Sequence, residues 1–326
     1  MYRAGLLTGP GRVLLTSGLE FQCWFEGGLA EGRVCCGTGA VRGERELDRD
    51  CGLPAPLTGG FIGVYRRGVL SGPVWQSTLG GGWLHGPTDP TGRLEGEAVF
   101  LYPDLRTGLA GRWEGGVLLA GRPTSVTAVR WPGWLPRLEV APPAPAAPLH
   151  CYCPADPEAV RVPAQLRDPY ESKTVVVGCS TATGGGDGLF ARRDLAAGTV
   201  AAFYHGLLLP PGQPSPNSSS AYMIFMDWAG HGLYPDCHSM DIPEQFWPAE
   251  AYCASLAHKT NHSFRPNCEF GRFQHPVFGL ACLALRTLVP VQAGTELFVH
   301  YRYTASYAPQ WFLDLTEVVG NTEHTE

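Results

Sequence analysis

The sequence of 326 residues contains no long apolar run, no dense cluster of basic residues and no Cys-x-x-Cys pair. A transmembrane helix needs about 18 or more consecutive apolar residues, so we expect no transmembrane segment. Residues 1–30 also show no apolar core of signal-peptide length. We therefore expect a nuclear and/or cytoplasmic protein in which the cysteines are reduced.

Charged side chains are scarce, at 17% of residues, and the formal net charge is −6. The 24 Lys and Arg residues are scattered, whereas neutralising the phosphates of a nucleic acid requires clustered cations. We therefore expect no direct binding to nucleic acid, and a small acidic surplus fits a basic protein substrate better. A hydrophobic content of 44% indicates a globular chain with a core, and the length allows two or three domains.

The 11 cysteines do not form a recognisable framework. Cys35 and Cys36 are adjacent, and a single residue separates Cys151 from Cys153. These spacings are poor for zinc, and an odd number of cysteines argues against a closed set of disulfides. We therefore expect no metal site.

A short pattern recurs in the first 125 residues, where an aromatic residue is followed by a turn with glycine and then by apolar residues. The copies lie at 24–29, 65–70 and 113–118, with offset copies at 82–84 and 100–104. Alternating apolar residues followed by glycine are typical of hairpins, and short hairpins must stack to bury a face. The pattern resembles MORN repeats; an unrelated glycine-rich β domain is the alternative.

The rest of the chain indicates a proline-rich connector followed by short strands. Residues 142–148 form a stiff extended segment or exposed loop, rich in proline and alanine. Strands are predicted within 174–177, 195–206 and 278–288, a short helix at 249–257 and a C-terminal helix at 309–319.

Two separated segments carry the strongest functional signal. Residues 261–267 read Asn-His-Ser-Phe-Arg-Pro-Asn, and residues 296–301 read Glu-Leu-Phe-Val-His-Tyr. A glycine cluster at 184–188 lies upstream; it does not fit a dinucleotide-binding loop, because a strand-turn pattern rather than a helix follows it. The two segments and the glycine turn, in this order, resemble SET-domain protein lysine methyltransferases, and with the N-terminal pattern they resemble the branch that carries MORN repeats.

The resemblance implies a mainly β fold of the α+β class, with stacked antiparallel hairpins at residues 1–125, a connector and pre-SET segment at 126–168, a SET domain with its pseudoknot at 169–303, and a C-terminal helix and tail at 304–326 that close the cofactor site. It also implies S-adenosylmethionine as the cofactor and a histone or another lysine-containing protein as the substrate of a monomeric enzyme. A scaffold protein with a SET-like fold and no transfer activity is the alternative.

Individual roles follow from the same resemblance. It assigns Tyr301 to the transfer step and places Tyr204 and Tyr303 in the lysine channel. Alternation along an extended stretch predicts that Tyr301 and Tyr303 share a face. The expected cofactor-binding residues are Gly186, Asp187, Gly188, Asn261, His262 and Trp311.

Two positions depart from the MORN-type relatives. Asp187 stands where they carry glutamate, and Phe270 stands where they carry tyrosine. A tyrosine hydroxyl at the second position restricts the amine and favours a single methylation. Phe270 lacks that oxygen, so we predict that some dimethyl-lysine is formed unless another side chain fills the gap.

Overall fold

The computed structural model describes residues 2–3, 6–14, 20–37, 60–130, 137–152, 167–182, 184–210, 212, 214–215, 222–226, 238–248, 255–279, 282–303 and 308–314. Strands dominate these residues, and helices are few and short, so the predicted mainly β fold is confirmed. Of the helix predicted at 249–257, residues 249–254 lie outside the described residues, and Ala257–Lys259 is a 3-10 turn. Residues 310–314 are helical, and the remainder of the predicted C-terminal helix also lies outside the described residues.

The N-terminal region is a sheet of sequential antiparallel strands, as the repeated pattern predicts. Its strands are β3 (Gly9–Leu14), β4 (Glu20–Glu26), β5 (Leu29–Gly37), β6 (Phe61–Arg66), β7 (Val69–Leu70), β8 (Val74–Ser77), β9 (Trp83–Gly86), β10 (Gly96–Leu101), β11 (Thr107–Glu114), β12 (Val117–Arg130) and β13 (Arg137–Val140). The order β13-β12-β11-β10-β9-β8-β6-β5-β4-β3 follows the chain, and β7 pairs with β6. Two short strands, β1 (Tyr2–Arg3) and β2 (Leu6–Leu7), pair separately. The sheet therefore continues beyond residue 125.

The same glycine conformation and hydrogen bond recur at three hairpin turns. The turn glycines Gly28, Gly68 and Gly116 have φ values of 84°, 77° and 85°, a region that glycine enters without steric cost. Each of these glycines donates its N–H to a carbonyl oxygen of the preceding segment: Gly28 to Leu7, Gly68 to Ala30 and Gly116 to Leu94. The turns therefore bind each hairpin to its neighbour as well as reversing the chain.

The C-terminal region is built from short strands in several small sheets. Its elements are α1 (Glu171–Thr174), β14 (Val175–Cys179), β15 (Asp187–Ala191), β16 (Val200–Tyr204), β17 (Leu207–Leu209), β18 (Ile224–Met226), β19 (His238–Asp241), β20 (Asn261–His262), β21 (Cys268–Arg272), β22 (Leu283–Thr287) and β23 (Phe298–Val299). A further 3-10 turn spans Glu244–Phe246. The sheets are β14-β15, β16-β22-β21, β17-β19-β18 and β20-β23. The strand β15 follows the glycine cluster directly, in agreement with the rejection of a dinucleotide-binding loop.

A shared core joins the hairpin sheet to the C-terminal region. Tyr102, at the end of β10, stacks on Tyr170 with 5.3 Å between ring centroids and donates its hydroxyl to Asp168 at 2.6 Å. His275 bonds the same carboxylate oxygen at 3.1 Å. Gly80 lies so close to the C-terminal region that an added Cβ would be 2.4 Å from the Phe273 ring. The sheet is therefore packed directly against the region that carries the candidate site.

Candidate active site

The two motif segments meet through a short parallel pairing. Asn261 lies opposite Phe298 and His262 opposite Val299, as β20 pairs with β23. The side chain of Asn267 secures this arrangement, because its amide nitrogen donates to the Glu296 carbonyl at 2.8 Å and its oxygen accepts the Phe298 N–H at 2.8 Å. The structure thus brings together the segments that the sequence pattern links.

Glu296 lies at the centre of this arrangement and is 3% exposed. One carboxylate oxygen accepts hydrogen bonds from Ser180 Oγ at 2.6 Å and Asn261 Nδ2 at 3.2 Å. The other accepts two from Thr181, from its N–H at 2.6 Å and its hydroxyl at 2.5 Å. Burial raises the pKa of Glu296, but these hydrogen bonds together bring it below its usual value. Glu296 is therefore a buried carboxylate that ties the β14–β15 turn to Asn261.

The two glycines of the Gly-x-Gly turn have different environments. Gly186 has φ 59°, and no described atom lies within 4 Å of the position its Cβ would take, apart from the turn itself. At Gly188 an added Cβ would lie 2.3 Å from Glu296 Oε1. Gly188 therefore makes room for a buried carboxylate, whereas no described atom outside its chain neighbours fills the space beside Gly186.

Asp187, between these glycines, forms an ion pair that the sequence did not predict. Its carboxylate lies 2.9 Å from Lys259 Nζ, and the Lys259 side chain is 4% exposed whereas that of Asp187 is 55% exposed. Burial lowers the pKa of Lys259, but the hydrogen bonds to Asp187 and Tyr222 and the nearby Tyr222 charge raise it above its usual value overall. Lys259 is thus a buried cation beside the glycine turn.

Asn261 faces the glycine turn, and His262 faces the segment that follows β23. Asn261 Nδ2 donates to Ser180 Oγ and to the Asp187 carbonyl oxygen, each at 2.9 Å. The His262 Nδ1 atom accepts the Tyr301 N–H at 3.1 Å, so its proton resides on Nε2. In the described part of the chain, this buried Nε2 has no hydrogen-bond partner. Burial, together with the charge of His300, lowers the pKa of His262 to about 4.

The prediction that the backbone from Tyr301 to Tyr303 is extended is wrong. The strand β23 ends at Val299, and Arg302 has φ 54°. The backbone turns here because the ring nitrogens of His262 and His300 accept the N–H groups of Tyr301 and Arg302. The two tyrosine rings still meet, with centroids 5.8 Å apart and planes at 80°.

Tyr301 points its hydroxyl inward. The hydroxyl donates to the Thr260 carbonyl at 2.8 Å. Although 37% of the residue surface is exposed, burial of the hydroxyl, followed by the charges of Tyr303 and Tyr222, raises the pKa of Tyr301 well above its usual value. Tyr301 therefore stays protonated at neutral pH.

Tyr204 and Phe270 are neighbours on the core side of the site. Tyr204 is 5% exposed, and its hydroxyl donates to the carbonyl oxygen of Tyr222. The Phe270 ring lies edge-to-face with the Tyr204 ring at 5.7 Å.

An aromatic group lies at the outer end of the site. Trp311, on the C-terminal helix, is 44% exposed, and its ring lies 6.3 Å from that of Tyr301 and 6.1 Å from that of Tyr303, nearly perpendicular to both. Phe312 is buried and packs against His262 with 4.9 Å between centroids. The helix therefore places one aromatic residue against His262 and another beside the two tyrosines.

Sequence reasoning missed Ser180, Thr181, Tyr222 and Lys259, which all contact predicted site residues. Lys259 comes shortly before the Asn-His segment, and that proximity was a usable signal. Tyr222 has no local signal, because its place depends on long-range contacts. Within the described ranges, no group of three or more His, Cys, Asp or Glu side chains could hold a metal ion. We also find no helix there whose length and apolar character would let it cross a bilayer.

Comparison with known proteins gives two matches. The family described as the SET domain matches residues 186–302. The chain is 32% identical over 276 residues to the histone-lysine N-methyltransferase SETD7 of Halocynthia roretzi, in an alignment that covers 80% of this chain and 68% of that protein. The family match includes the glycine turn, the β20–β23 pairing and the tyrosine that follows it. The chain belongs to the SET-domain family of protein lysine methyltransferases, which use S-adenosylmethionine as the methyl donor.

Proposed function

We propose that this enzyme methylates lysine in histone tails, and in other lysine-containing proteins, as a monomer in the nucleus and/or cytoplasm, and that it forms dimethyl-lysine. The observation that carries the proposal is the meeting of the Tyr301 and Tyr303 rings directly after the paired strands β20 and β23. The name of the relative from Halocynthia roretzi supports a histone substrate. The net charge of −6 suits a basic peptide.

The site residues fit S-adenosylmethionine. Space is open beside Gly186, where a bound molecule can approach the backbone. His262 Nε2–H is a buried donor without a described acceptor, and the Trp311 ring lies 6.2 Å from the His262 ring. We propose that Gly186, Asp187, Asn261, His262 and Trp311 contact the cofactor, and that Gly188 acts through Glu296. When bound, S-adenosylmethionine supplies an activated methyl group on a positively charged sulfur.

The protein must present the substrate amine in its neutral form. A free lysine has a pKa near 10.4, so at pH 7.4 neutralising it costs about 4 kcal/mol. A channel lined by Tyr204, Phe270 and Tyr301 removes water from the amine, and the buried Lys259 ammonium opposes a second positive charge nearby. Because the raised pKa of Tyr301 keeps it protonated, we propose that this hydroxyl orients the methyl group to be transferred and does not act as a base.

Phe270 is the basis for the dimethyl product. It packs edge-to-face on Tyr204 and offers no hydroxyl to the amine. A monomethylated amine can therefore turn in the channel and receive a second methyl group.

We also propose that the N-terminal hairpins are MORN repeats and that the domains keep the limits given above, with the SET domain at 169–303. The repeated glycine turns, each bonded to the preceding segment, support a repeat array.

The test incubates the protein with S-adenosylmethionine carrying a labelled methyl group and with histone-tail peptides. We expect label on lysine, and mass spectrometry should show both mono- and dimethyl-lysine. Tyr301→Phe should reduce kcat by about 100-fold, a loss of the size seen when one preorganised hydrogen-bonding group is removed from an active site. Tyr152→Phe is a matched control, because Tyr152 is 39% exposed and lies against Gly279 rather than among the proposed site residues. Cofactor binding without transfer to any peptide would instead indicate a scaffold protein.

A further inference from the structure

We propose that Tyr222 is a further residue of the lysine channel and that its hydroxyl limits the reaction to dimethyl-lysine. This inference rests on the proposed function and adds a specificity-determining residue to the same site. Tyr222 lies just before β18, in a part of the chain where the sequence carries no recognisable motif.

The position of Tyr222 is fixed by contacts on several sides. Its carbonyl oxygen accepts the hydroxyl of Tyr204. Its ring packs edge-to-face against His258 and Trp247, with interplanar angles of 86° and 66° and 5.2 Å between centroids in each pair. The ring also belongs to the half-buried residues that pack against the core containing Tyr204. The side chain is therefore held beside the channel tyrosine.

Lys259 determines how the Tyr222 hydroxyl can bond. Lys259 Nζ lies 3.3 Å from the Tyr222 hydroxyl oxygen and 5.3 Å from the ring centroid, and the ion pair with Asp187 at 2.9 Å keeps the ammonium in place. An ammonium can only donate hydrogen bonds, so the Tyr222 oxygen accepts from Lys259. One lone pair of the oxygen remains for a second donor.

The second donor comes from the channel. Tyr301 Oη donates to the carbonyl of Thr260, the residue next to Lys259, so both hydroxyls are held at the same short segment. The His258 ring lies edge-to-face with both Tyr204 and Tyr222, which keeps the Tyr222 side chain beside the channel tyrosine. Phe270 packs on the Tyr204 ring, whereas Tyr222 receives the Tyr204 hydroxyl. Tyr204 is therefore flanked by one neighbour without a hydroxyl and one with a hydroxyl.

The number of N–H groups on the amine then sets the product. In each round the neutral amine forms a nitrogen–carbon bond with its lone pair, the carbon–sulfur bond of the donor breaks towards sulfur, and the ammonium product loses one proton to solvent. A primary amine has two N–H groups to orient it, a monomethyl amine has one, and a dimethyl amine has none. A single acceptor, Tyr222, can therefore align the first two amines. The dimethyl amine has no N–H group to offer, so it would press a methyl group against the Tyr222 hydroxyl oxygen and leave that oxygen without a hydrogen-bond donor from the amine.

The experiment measures the final product on one histone-tail peptide by mass spectrometry for variants with two, one or no hydroxyls at these positions. Phe270→Tyr adds a hydroxyl and should stop at monomethyl-lysine. The wild type has one hydroxyl at these two positions and should stop at dimethyl-lysine. Tyr222→Phe removes the only hydroxyl at these positions and should yield trimethyl-lysine. Its kcat on the unmodified peptide should fall about fivefold, because one hydrogen bond to the amine is lost. The double variant Phe270→Tyr with Tyr222→Phe should return to dimethyl-lysine. A Lys259→Met variant, which releases the hydroxyl, should also form trimethyl-lysine.

Unchanged products in Tyr222→Phe, with the wild type active, would overturn this inference and leave the proposed function intact. Failure of the wild type to methylate any peptide would instead overturn the proposed function. Should Tyr222→Phe fail to fold, as judged by circular dichroism, Lys259→Met and Phe270→Tyr still decide the matter. A dimethyl product from both of these variants contradicts the inference.

Discussion

Replacing Glu296 with glutamine should destabilise the protein strongly, although the two side chains have nearly the same shape. Ser180 Oγ and Asn261 Nδ2 donate to one carboxylate oxygen, and the N–H and hydroxyl of Thr181 donate to the other. Glutamine offers only one acceptor oxygen. Its amide group would face donors at the second position, because an Asn261 Nδ2 or a Thr181 N–H cannot reverse its polarity.

The size of the effect follows from the hydrogen bonds that are lost. A hydrogen bond to a charged group is worth about 1.5–3 kcal/mol, and a buried donor left without an acceptor costs a similar amount. Two such bonds are lost, and some relaxation of the Ser180 and Thr181 hydroxyls will offset part of the cost. We expect Glu296→Gln to lower the free energy of unfolding by about 3 kcal/mol in urea at pH 7. Glu269→Gln, the same change at an exposed position of β21, should stay within about 0.5 kcal/mol of the wild type.

The effect should also depend on pH with a defined sign. The folded-state pKa of Glu296 lies below its usual value of 4.5, so its stabilising contribution is complete above that pH and is lost as the pH falls through the folded-state pKa. Glutamine does not titrate. The stability gap between wild type and Glu296→Gln should therefore be constant from pH 7 to about pH 5 and shrink in more acidic solution. A gap under about 0.5 kcal/mol at pH 7, or one that grows on acidification, would refute this reasoning.

Three further predictions concern nearby packing and protonation. Gly188→Ala should lower the urea midpoint markedly, since its Cβ would lie 2.3 Å from a buried carboxylate oxygen, whereas Gly271→Ala meets open space and should not; equal midpoints would contradict this. In NMR titrations His262 should stay neutral down to about pH 5, because its pKa is lowered to about 4, and a midpoint near pH 6.5 would disprove its burial. Tyr102→Phe removes a hydroxyl donor from the buried Asp168 and should cost about 1.5–3 kcal/mol in thermal or urea unfolding; no loss would show that the bond is dispensable.

Local signals were sufficient to predict the hairpins of the N-terminal sheet. The turn glycines at 28, 68 and 116 need positive φ angles, and that requirement is visible in sequence because it depends on one residue. The pairing of β20 with β23 was also predictable, because both segments carry distinctive residues in a fixed order. The strands β16 and β22 appeared within the predicted apolar runs for the same reason.

The prediction was less successful where a residue acts through a distant partner. The Gly-x-Gly turn predicted the approach of a cofactor to both glycines, but it gave no sign that Gly188 also makes room for Glu296, which lies more than a hundred positions later. The alternation argument for Tyr301 and Tyr303 failed because His262 and His300 accept backbone N–H groups and turn the chain at Arg302. Neither effect can be read from spacing, since each depends on which side chain arrives from elsewhere in the fold.

The two departures from the MORN-type relatives, at Asp187 and Phe270, are connected in space. Asp187 binds Lys259, and Lys259 in turn bonds the hydroxyl of Tyr222. The Tyr222 carbonyl accepts the Tyr204 hydroxyl, and the Tyr204 ring packs on Phe270. Because each contact positions the next, we expect the carboxylate at 187 and the missing hydroxyl at 270 to act on the same proposed channel. Their effects on the product should therefore be non-additive, as expected for residues within one network.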